Sequence, residues 1–544
     1  PLDVQLVGWR GIEGRDVMVE VRYQGASSLY ELVTPDMVPR IIQSHLDEHR
    51  PVRRWVVGKD FEAYYEPQKM HVSELLGKID PQCLEEYQDY DGYKALRSFY
   101  SQGFDSFLQK VVAAGFCEFN RTTSTPFGAT WCELRVEKQR PILVVNAAPP
   151  SPHATSEMLL LEGVPHQVLE GILLAVNTLQ AEAVIVYLPA EAALARERLR
   201  YCWEKLWQGN VLPASQPRID LEILSGEARF LVEDEDLFTQ HLHTTLPKSF
   251  WQKYPNPTFL FHGLGTIAAL PFIAQTPVSW FRKLGIACAP GTMIFRLMGA
   301  VEQPGFVEVP LSATVGDVIN GVGGGFRHGR NPKAILVGGT LGGIFPATCL
   351  QISLNHETLR EMEGSLALGT IQVLDEKDCI ISLVRQQIDF LLDQPGAQCP
   401  SCHQSLIQVR DLLAEIAAGE ATGDTLEELK AVCERLKLKG SCHLGRQAVN
   451  PILTSLHFFP DEYRMHTDNK TCPARVCPKL LPAPCHVACP AGIDIPSYMA
   501  LVGQGRFVEA LEVIRQDNPF PWICGLICPH PCERACVRGH LDEP

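Results

Sequence analysis

Eight cysteines between Thr471 and the end of the chain constrain its fold more than any other feature of the sequence. They occur at short, proline-punctuated intervals in two groups, Cys472, Cys477, Cys485 and Cys489, followed by Cys524, Cys528, Cys532 and Cys536. Thiolates three or four residues apart on tight turns suit iron–sulfur clusters or zinc. The stretch between the groups, SYMALVGQGRFVEALEVIRQ, is amphipathic, and we expect it to form a helix that brings the two groups together.

Length and composition indicate a large protein of several domains. A chain of 544 residues is too long for one core, so roughly three to five domains are expected. A net charge of −15 without a basic stripe argues against a nucleic-acid partner, and no run of eighteen apolar residues predicts a membrane span. The 19 cysteines cluster in CxxC and CxxxC groups, which favours metal binding in a reducing, cytoplasmic setting over disulfides.

The middle of the chain alternates between strand-like and helix-like patterns. The runs PILVVNA and AEAVIVYLPA are typical of buried strands, and HQVLEGILLAVNTL and AALARERLRYCWEKLW are typical of helices. Short strands with glycine turns follow, and residues 380–460 are helical in pattern. We therefore predict an α/β multidomain fold with a helical C-terminal part.

The N-terminal residues have the order strand, strand, helix, strand, with RRWVV as the last strand. This order resembles the C-terminal half of the thioredoxin-like 2Fe–2S domain that precedes some NADH-oxidising flavoproteins. That family carries cysteines just before the first strand, where this chain has Trp9 and Glu13. The resemblance therefore implies a structural remnant without a cluster.

A longer set of landmarks resembles the flavin- and NADH-binding subunit of respiratory complex I and its soluble hydrogenase and formate dehydrogenase relatives. The landmarks lie between about residues 90 and 465, and are GYKAL, VVNA, PHQVLEGILLA, GTMIF, PGFVEVP, GGTLGG, KGSCHLGRQAVNPI and HFFPDE. The resemblance implies an α/β flavin-fold core, a β-grasp unit and a helical iron–sulfur bundle.

Three elements that bind flavin and nicotinamide in that family depart from the pattern here. The glycine-rich loop corresponds to residues 116–131, where threonine, serine and arginine replace the glycines before Pro126. The acidic segment after the first strand keeps only Asn146, and the paired glutamates are represented by Asp234 and Glu235. We expect an FMN site that is lost or much altered; the alternative is a divergent site that retains Asn146, Asp234 and Glu235.

The family's helical domain holds a 4Fe–4S cluster on four cysteines. Cys399, Cys402 and Cys442 match the second, third and fourth ligands, while the first falls on Gly396. Three thiolates can hold a 3Fe–4S cluster, or a 4Fe–4S cluster with one non-cysteine ligand. His403 and Cys433 are nearby candidates, and Cys433 fits better as a core thiol on the apolar face of its helix.

Further along the chain, His466, Cys472 and Cys477 form a second candidate site. Histidine mixed with two thiolates suits zinc, although no fourth ligand is evident from the sequence. The rival assignment gives Cys472 and Cys477 to an iron–sulfur cluster, and both remain open. Cys379, like six other isolated cysteines, is interpreted as a buried thiol.

Residues 480–544 resemble the N-terminal iron–sulfur domain of the glutamate synthase small subunit and of dihydropyrimidine dehydrogenase. The shared features are the pattern C-x3-CP…C-x3-C-x3-C and the IP-x-Y and NPFP landmarks. Two interleaved 4Fe–4S clusters are implied: one takes Cys485 and Cys536, with Cys472 and Cys477 if zinc does not bind them, and the other takes Cys489, Cys528 and Cys532. Cys524 is a candidate for the remaining position, although it fits better as a packed thiol.

Together the resemblances predict six segments, with a helical iron–sulfur domain at the C-terminus. They are 1–60, a thioredoxin-like remnant; 61–92, a linker; 93–290, the flavoprotein-like α/β core; 291–360, a β-grasp; 361–465, a helical cluster domain; and 466–544, a glutamate-synthase-type iron–sulfur domain.

We predict that the chain is an electron-transfer subunit, or a segment of one, in a cytoplasmic NAD(P)H-linked oxidoreductase complex. Some complexes of this kind bifurcate electrons. One to three 4Fe–4S clusters would carry the electrons, with FAD and NAD(P)H on an adjoining module and other oxidoreductase subunits as partners. No catalytic residue is predicted. Two alternatives are an active FMN-dependent NADH dehydrogenase with divergent loops, and a zinc-stabilised scaffold without catalysis.

Overall fold

The computed structural model describes residues 4–118, 125–153, 155–209, 211–213, 216–366, 368–394, 399–480 and 483–540. Within these ranges it is a mixed α/β structure with a helical C-terminal region. The prediction of an α/β fold with a helical end is therefore confirmed.

The N-terminal part begins with an antiparallel hairpin of β1 (Val19–Tyr23) and β2 (Ala26–Tyr30), which packs against α1 (Val38–Leu46). Helices α2 (Lys59–Tyr65) and α3 (Leu84–Asp89) follow. The predicted strand RRWVV is wrong: Arg53–Trp55 is a short 3-10 helix, and only Val56 makes an isolated bridge to Tyr30.

The central layer is a parallel sheet flanked by helices. In the described residues its strands are β3 (Ile142–Asn146), β4 (Ala183–Pro189), β5 (Asp220–Gly226) and β6 (Phe259–Gly263), in the order β5-β4-β3-β6. The helices are α4 (Lys94–Gln102), α5 (Phe104–Ala114), α6 (Gly128–Val136), α7 (Ser156–Gly163), α8 (Pro165–Leu179), α9 (Ala193–Gln208), α10 (Glu235–Thr245), α11 (Lys248–Lys253), α12 (Leu264–Gln275) and α13 (Val278–Phe281). β3 and β4 are buried along their whole length, which explains their continuous apolar sequences.

A second, mixed sheet follows a short hairpin of β7 (Gly285–Ile286) and β8 (Ala289–Pro290). Its strands are β9 (Thr292–Gly299), β10 (Gly305–Pro310), β11 (Pro332–Val337), β12 (Gly343–Pro346) and β13 (Thr370–Asp375), in the order β10-β9-β13-β11-β12. Only β9 and β13 pair in parallel among these described strands. Helix α14 (His356–Glu361) lies in the connection before β13.

The remaining residues are helical. One group is α15 (Ile380–Leu392), α16 (Pro400–Ala418), α17 (Gly423–Lys439), α18 (His443–Gln447), α19 (Asn450–Phe458) and α20 (Pro460–Thr467). The other is α21 (Pro484–Ala488), α22 (Ile495–Gly503), α23 (Phe507–Asp517), α24 (Pro521–Ile527) and α25 (Pro531–Arg534). The predicted helix between the C-terminal cysteine groups is thus two helices, α22 and α23.

In the described ranges, no single helix is both long and apolar enough to cross a membrane, whereas α7 and α8 meet that length and composition jointly as a pair bent by 99°.

Candidate metal centres

Four buried side chains converge at the junction between the second sheet and the helical region. They are Cys379, His466, Cys472 and Cys477, whose ligand atoms all lie within 4.8 Å of one another. Cys379 is the N-cap of α15, and His466 lies in the last turn of α20. Cys379 is therefore a candidate for the fourth ligand that the sequence did not reveal; it is buried, as expected, but it is not isolated from the other three side chains.

The histidine of this group is oriented by the backbone. His466 Nδ1 faces the carbonyl oxygen of Glu462 at 2.8 Å, so Nδ1 carries the proton and Nε2 faces the thiols. Burial lowers the pKa of His466, but its contacts with Cys379 and with the Glu462 carbonyl raise it to about 9. The Cys477 contact and burial raise the pKa of Cys379. Such thiols resist ionisation unless a cation supplies positive charge at their centre.

The distances in this group match one tetrahedral ion. With metal–sulfur bonds of about 2.3 Å and metal–nitrogen bonds of about 2.0 Å, tetrahedral geometry separates two sulfurs by about 3.8 Å and sulfur from nitrogen by about 3.5 Å. The Cys379 and Cys477 sulfurs are 3.7 Å apart, and they lie 3.4 and 3.5 Å from His466 Nε2. These three distances are compatible with a single tetrahedral ion.

A second group contains three thiols, Cys399, Cys402 and Cys442, again within 4.8 Å of one another. Cys399 is the N-cap of α16, Cys402 lies in the first turn of that helix, and Cys442 is the N-cap of α18. Backbone amides donate to two of the sulfurs, from Ser441 to Cys402 and from Gly445 to Cys442, each at 3.3 Å. Amide donors of this kind stabilise thiolates and set the reduction potential of a cluster that they hold.

The remaining position of this group differs from a four-cysteine site. Gly396, where the resemblance placed the first ligand, lies outside the described residues. Cys433 is fully buried on α17 in the apolar core of the helical region, as expected for a core thiol, and is not part of the group. Within the described ranges, the group therefore offers three thiolates.

Gly445 lies next to the sulfurs of Cys402 and Cys442. A Cβ built on Gly445 would stand 2.6 Å from Cys402 Sγ and 3.2 Å from Cys442 Sγ, which is closer than van der Waals contact. The glycine is therefore required where the backbone of α18 approaches both thiolates.

We expect Gly445→Ala to reduce the iron bound at the three-thiol group severalfold, because the added methyl group displaces both sulfurs. Iron and acid-labile sulfide per chain, measured on protein purified without oxygen, test this expectation. Gly423→Ala is the matched control, since a Cβ there meets nothing within 4 Å and the residue begins α17 of the same region. Equal iron in both variants would contradict the proposed contact.

The sequence assigns Asn146, Asp234 and Glu235 to a flavin site, and each of these side chains has its own surroundings in the structure. Asn146 is fully buried, donates to the Phe230 carbonyl at 2.7 Å and accepts from the Ala148 amide at 3.0 Å. Asp234 accepts from the amides that follow Cys442, and Glu235 is exposed in the first turn of α10. Asn146 and Asp234 therefore bond to different backbone segments.

A buried network that was not predicted from the sequence lies at the carboxyl end of strand β6. Glu118, 1% exposed, accepts from the Gly263 amide at 2.8 Å, from the Thr266 hydroxyl at 2.5 Å and from His262 Nδ1. Trp131 Nε1 donates to His262 Nε2 at 2.9 Å, so the imidazole proton lies on Nδ1. Gly263 is the N-cap of α12, a position where helix N-termini in such folds bind anions.

The space left at this edge is small. A cavity of about 30 Å³ is lined by residues that include Glu157, Gly265 and Thr292. This cavity by itself is smaller than the roughly 300–1,000 Å³ of a cofactor pocket. Residues 119–124, which belong to the counterpart of the family's glycine-rich loop, lie outside the described residues.

The C-terminal cysteines lie on a set of short helices. Cys485 is in α21, Cys524 in α24 and Cys532 in α25, while Cys489 and Cys528 are the C-caps of α21 and α24. Helix α21 contacts both α25 and α22, so the two cysteine groups meet. Burial and the thiols of Cys532, Cys485 and Cys489 raise the pKa of Tyr498, the tyrosine of the IP-x-Y landmark.

Two of these cysteines differ from the others in their surroundings. Cys524 Sγ donates to the buried Asn518 Oδ1 at 3.4 Å, an arrangement that suits a packed thiol, and Cys536 follows α25. Among the described residues, the C-terminal cysteines do not form a group as compact as the two upstream.

Models of three protein families match separate parts of the chain. Residues 125–261 match the Nuo51 FMN-binding domain, and residues 382–466 match the iron–sulfur binding region of NADH-ubiquinone oxidoreductase-F. Residues 458–544 match domain II of dihydropyrimidine dehydrogenase, described as a 4Fe–4S cluster domain.

The chain is also similar to curated proteins and to solved structures. The chain is 29% identical over 421 residues to HndC, a component of the NADP-reducing hydrogenase of Solidesulfovibrio fructosivorans, and the match covers 74% of the chain and 85% of the relative. It is 26% identical over 403 residues to a component of the NADH-quinone oxidoreductase of Streptomyces coelicolor, with coverages of 72% and 89%. An NAD+-reducing [NiFe]-hydrogenase in the H2-reduced state has a similar fold, with a TM-score of 0.61, 22% identity and coverages of 81% and 74%.

Proposed function

We propose that this chain, which is similar to flavin subunits of complex I-like enzymes and to domain II of dihydropyrimidine dehydrogenase, is an electron-transfer subunit of an NAD(P)H-linked oxidoreductase complex. Its iron–sulfur clusters relay the electrons, and its partners are other subunits of that complex and a module that binds FAD and NAD(P)H.

The convergence of Cys399, Cys402 and Cys442 over Gly445 is the observation that carries this proposal. Cys442 is distant in sequence from the other two, yet the three sulfurs lie within 4.8 Å of one another, in the region that matches an iron–sulfur binding model. A side chain at position 445 would collide with the sulfurs of Cys402 and Cys442. A 3Fe–4S cluster, or a 4Fe–4S cluster with one ligand other than cysteine, suits one-electron transfer at this point.

We further propose that the chain does not hold FMN, although its central domain matches an FMN-binding model. Glu118 occupies the N-terminus of α12 with its own carboxylate, where an incoming phosphate would meet a buried negative charge. Asn146 bonds to the backbone, and the cavity of about 30 Å³ beside Glu157, Gly265 and Thr292 is too small for a flavin ring. No step of the proposed relay therefore passes through a flavin on this chain.

The Cys379, His466, Cys472 and Cys477 group is proposed to bind one structural zinc ion. The set of three sulfurs and one nitrogen supports this proposal, as do the three distances among Cys379, Cys477 and His466, which suit tetrahedral zinc. This assignment removes Cys472 and Cys477 from the C-terminal clusters. The six remaining cysteines there, Cys485, Cys489, Cys524, Cys528, Cys532 and Cys536, are fewer than the eight thiolates of two complete 4Fe–4S clusters.

The domain boundaries are proposed largely as the sequence predicts them, with one adjustment. Strand β13 pairs with β9 and β11, so the β-grasp-like unit extends to Asp375 and does not end at residue 360. The thioredoxin-like character of residues 1–60 is supported by the β1–β2 hairpin and by a small core that includes Tyr30, Val33 and Ile41.

Metal and flavin content decide between this function and its alternatives. Protein purified without oxygen is expected to contain about seven or more irons, about one zinc and no stoichiometric flavin, and to show cluster signals in electron paramagnetic resonance after reduction. About one FMN per chain would favour the dehydrogenase alternative, which the match to the FMN-binding model supports. Zinc without iron would favour the scaffold and contradict the electron relay.

A further inference from the structure

Asp234 lies at the contact between the central sheet domain and the cysteine loop of the helical region. Its carboxylate is 6% exposed and accepts from the amide of His443 at 2.8 Å and from the amide of Leu444 at 2.9 Å. These residues directly follow Cys442 and lie 209 and 210 positions from Asp234 in sequence. One buried carboxylate therefore holds the backbone next to a thiolate from a distant part of the chain.

The hydrogen bonds around Cys442 form a continuous set. The amides of His443 and Leu444 point at Asp234, and the next amide, that of Gly445, points at Cys442 Sγ at 3.3 Å. Without the carboxylate, two amides at the start of α18 would lose their partners in a buried setting. The hydrogen bonds from His443 and Leu444 to Asp234 hold the backbone in the orientation that points the Gly445 amide at Cys442 Sγ.

The segment that carries Asp234 also packs against the helical region that contains Cys442. Leu231, which precedes it, is fully buried in the apolar core formed by the helical region and strands β11 to β13. Glu233 lies 3.5 Å from the ring of His443. The segment after β5 is therefore packed as part of the cysteine site.

We propose that Asp234 is a positioning residue of the Cys399–Cys402–Cys442 site, which fixes the loop of Cys442 and lowers the reduction potential of the cluster held there. A fixed negative charge beside a cluster disfavours the arrival of an electron, because it repels the added charge in a setting of low dielectric constant. The inference rests on the proposed electron-transfer function. It also gives Asp234 a role in place of flavin binding.

The charge is tested with Asp234→Asn, which keeps the size of the side chain. Reductive titration of the full-length protein, followed by electron paramagnetic resonance, is expected to show a higher potential for the signal that is missing in Cys442→Ser. Asp236→Asn is the matched control, because it removes the same charge from an exposed position two residues away and should leave the potential unchanged. An unmoved potential in Asp234→Asn, with the cluster present, would overturn the tuning role.

The positioning role is tested without a cluster. In iron-free protein, Asp234→Ala is expected to increase hydrogen exchange at the amides of His443 and Leu444 at least tenfold, whereas Asp236→Ala leaves it unchanged. Unchanged exchange in Asp234→Ala would overturn the positioning role, and zinc content shows whether the variant remains folded. A wild-type protein that lacks the Cys442-dependent signal would count against the proposed function, and the exchange result would still decide this inference.

Discussion

Removing the iron from this protein is expected to unfold residues 483–540 while the upstream domains stay folded. The described C-terminal helices bury very little of their own surface: of these residues only Ala510 and Asn518 are buried. Large apolar side chains are exposed instead, such as Trp522 at 79%, Leu526 at 71% and Ile527 at 76%. None of the hydrophobic cores in the described chain includes a residue beyond Leu480.

A segment without an apolar core must be held together by other bonds. Six cysteines on α21, α24, α25 and their flanking turns are the available source, so cluster binding and folding of this segment are coupled. Hydrogen exchange with mass spectrometry should show protection of α22 and α23 in the iron-loaded protein and its nearly complete loss after anaerobic chelation. Protection of β3, β4 and α8, which are buried in the central core, should not change.

A pair of variants separates cluster loss from general damage. Cys532→Ser should reproduce the loss of protection, because Cys532 lies on the helix that contacts α21. Cys349→Ser is the control, since Cys349 is half-buried beside the core of the second sheet and belongs to neither compact metal group. Persistent protection of α22 and α23 after complete iron removal would contradict the coupling.

The parts of the fold that the sequence predicts are those set by local pattern. β3, β4, α8 and α9 follow from continuous or periodic apolar residues, which encode burial within one segment. The error at RRWVV has a tertiary cause. The segment is typical of a strand, but Arg53–Trp55 forms a 3-10 helix, and only a single isolated bridge, between Val56 and Tyr30, joins the segment to the β1–β2 hairpin.

The parts of the site that the sequence does not predict are contacts between distant residues. Cys379 is 87 positions from His466, and Glu118 is 144 positions from His262. No spacing rule relates such pairs, because each is brought together by the packing of whole domains. Cys399, Cys402 and Cys442 could be predicted because two of them share one helical turn and the third has a recognisable sequence context.

Replacing Cys379 with alanine is expected to abolish zinc binding and to destabilise the helical region. Cys379 supplies one of four ligand atoms and joins the start of α15 to the end of α20 and to the segment that carries Cys472 and Cys477. Structural zinc sites contribute about 10–16 kcal/mol of apparent binding free energy in small peptides, so losing a ligand is expected to cost on the order of several kcal/mol. Zinc content should fall from about one per chain to near zero.

Cys433→Ala is the matched control for Cys379→Ala. Cys433 is a fully buried thiol of the same helical region that does not belong to the metal group, and its truncation removes the same sulfur atom from a packed interior. Its loss should cost about 1 kcal/mol through packing alone and leave zinc at the wild-type level. Zinc measured by mass spectrometry, together with denaturant unfolding, separates the two effects. Unchanged zinc in Cys379→Ala would mean that the ion is held without this thiolate, and Cys472 and Cys477 would again be available to an iron–sulfur cluster.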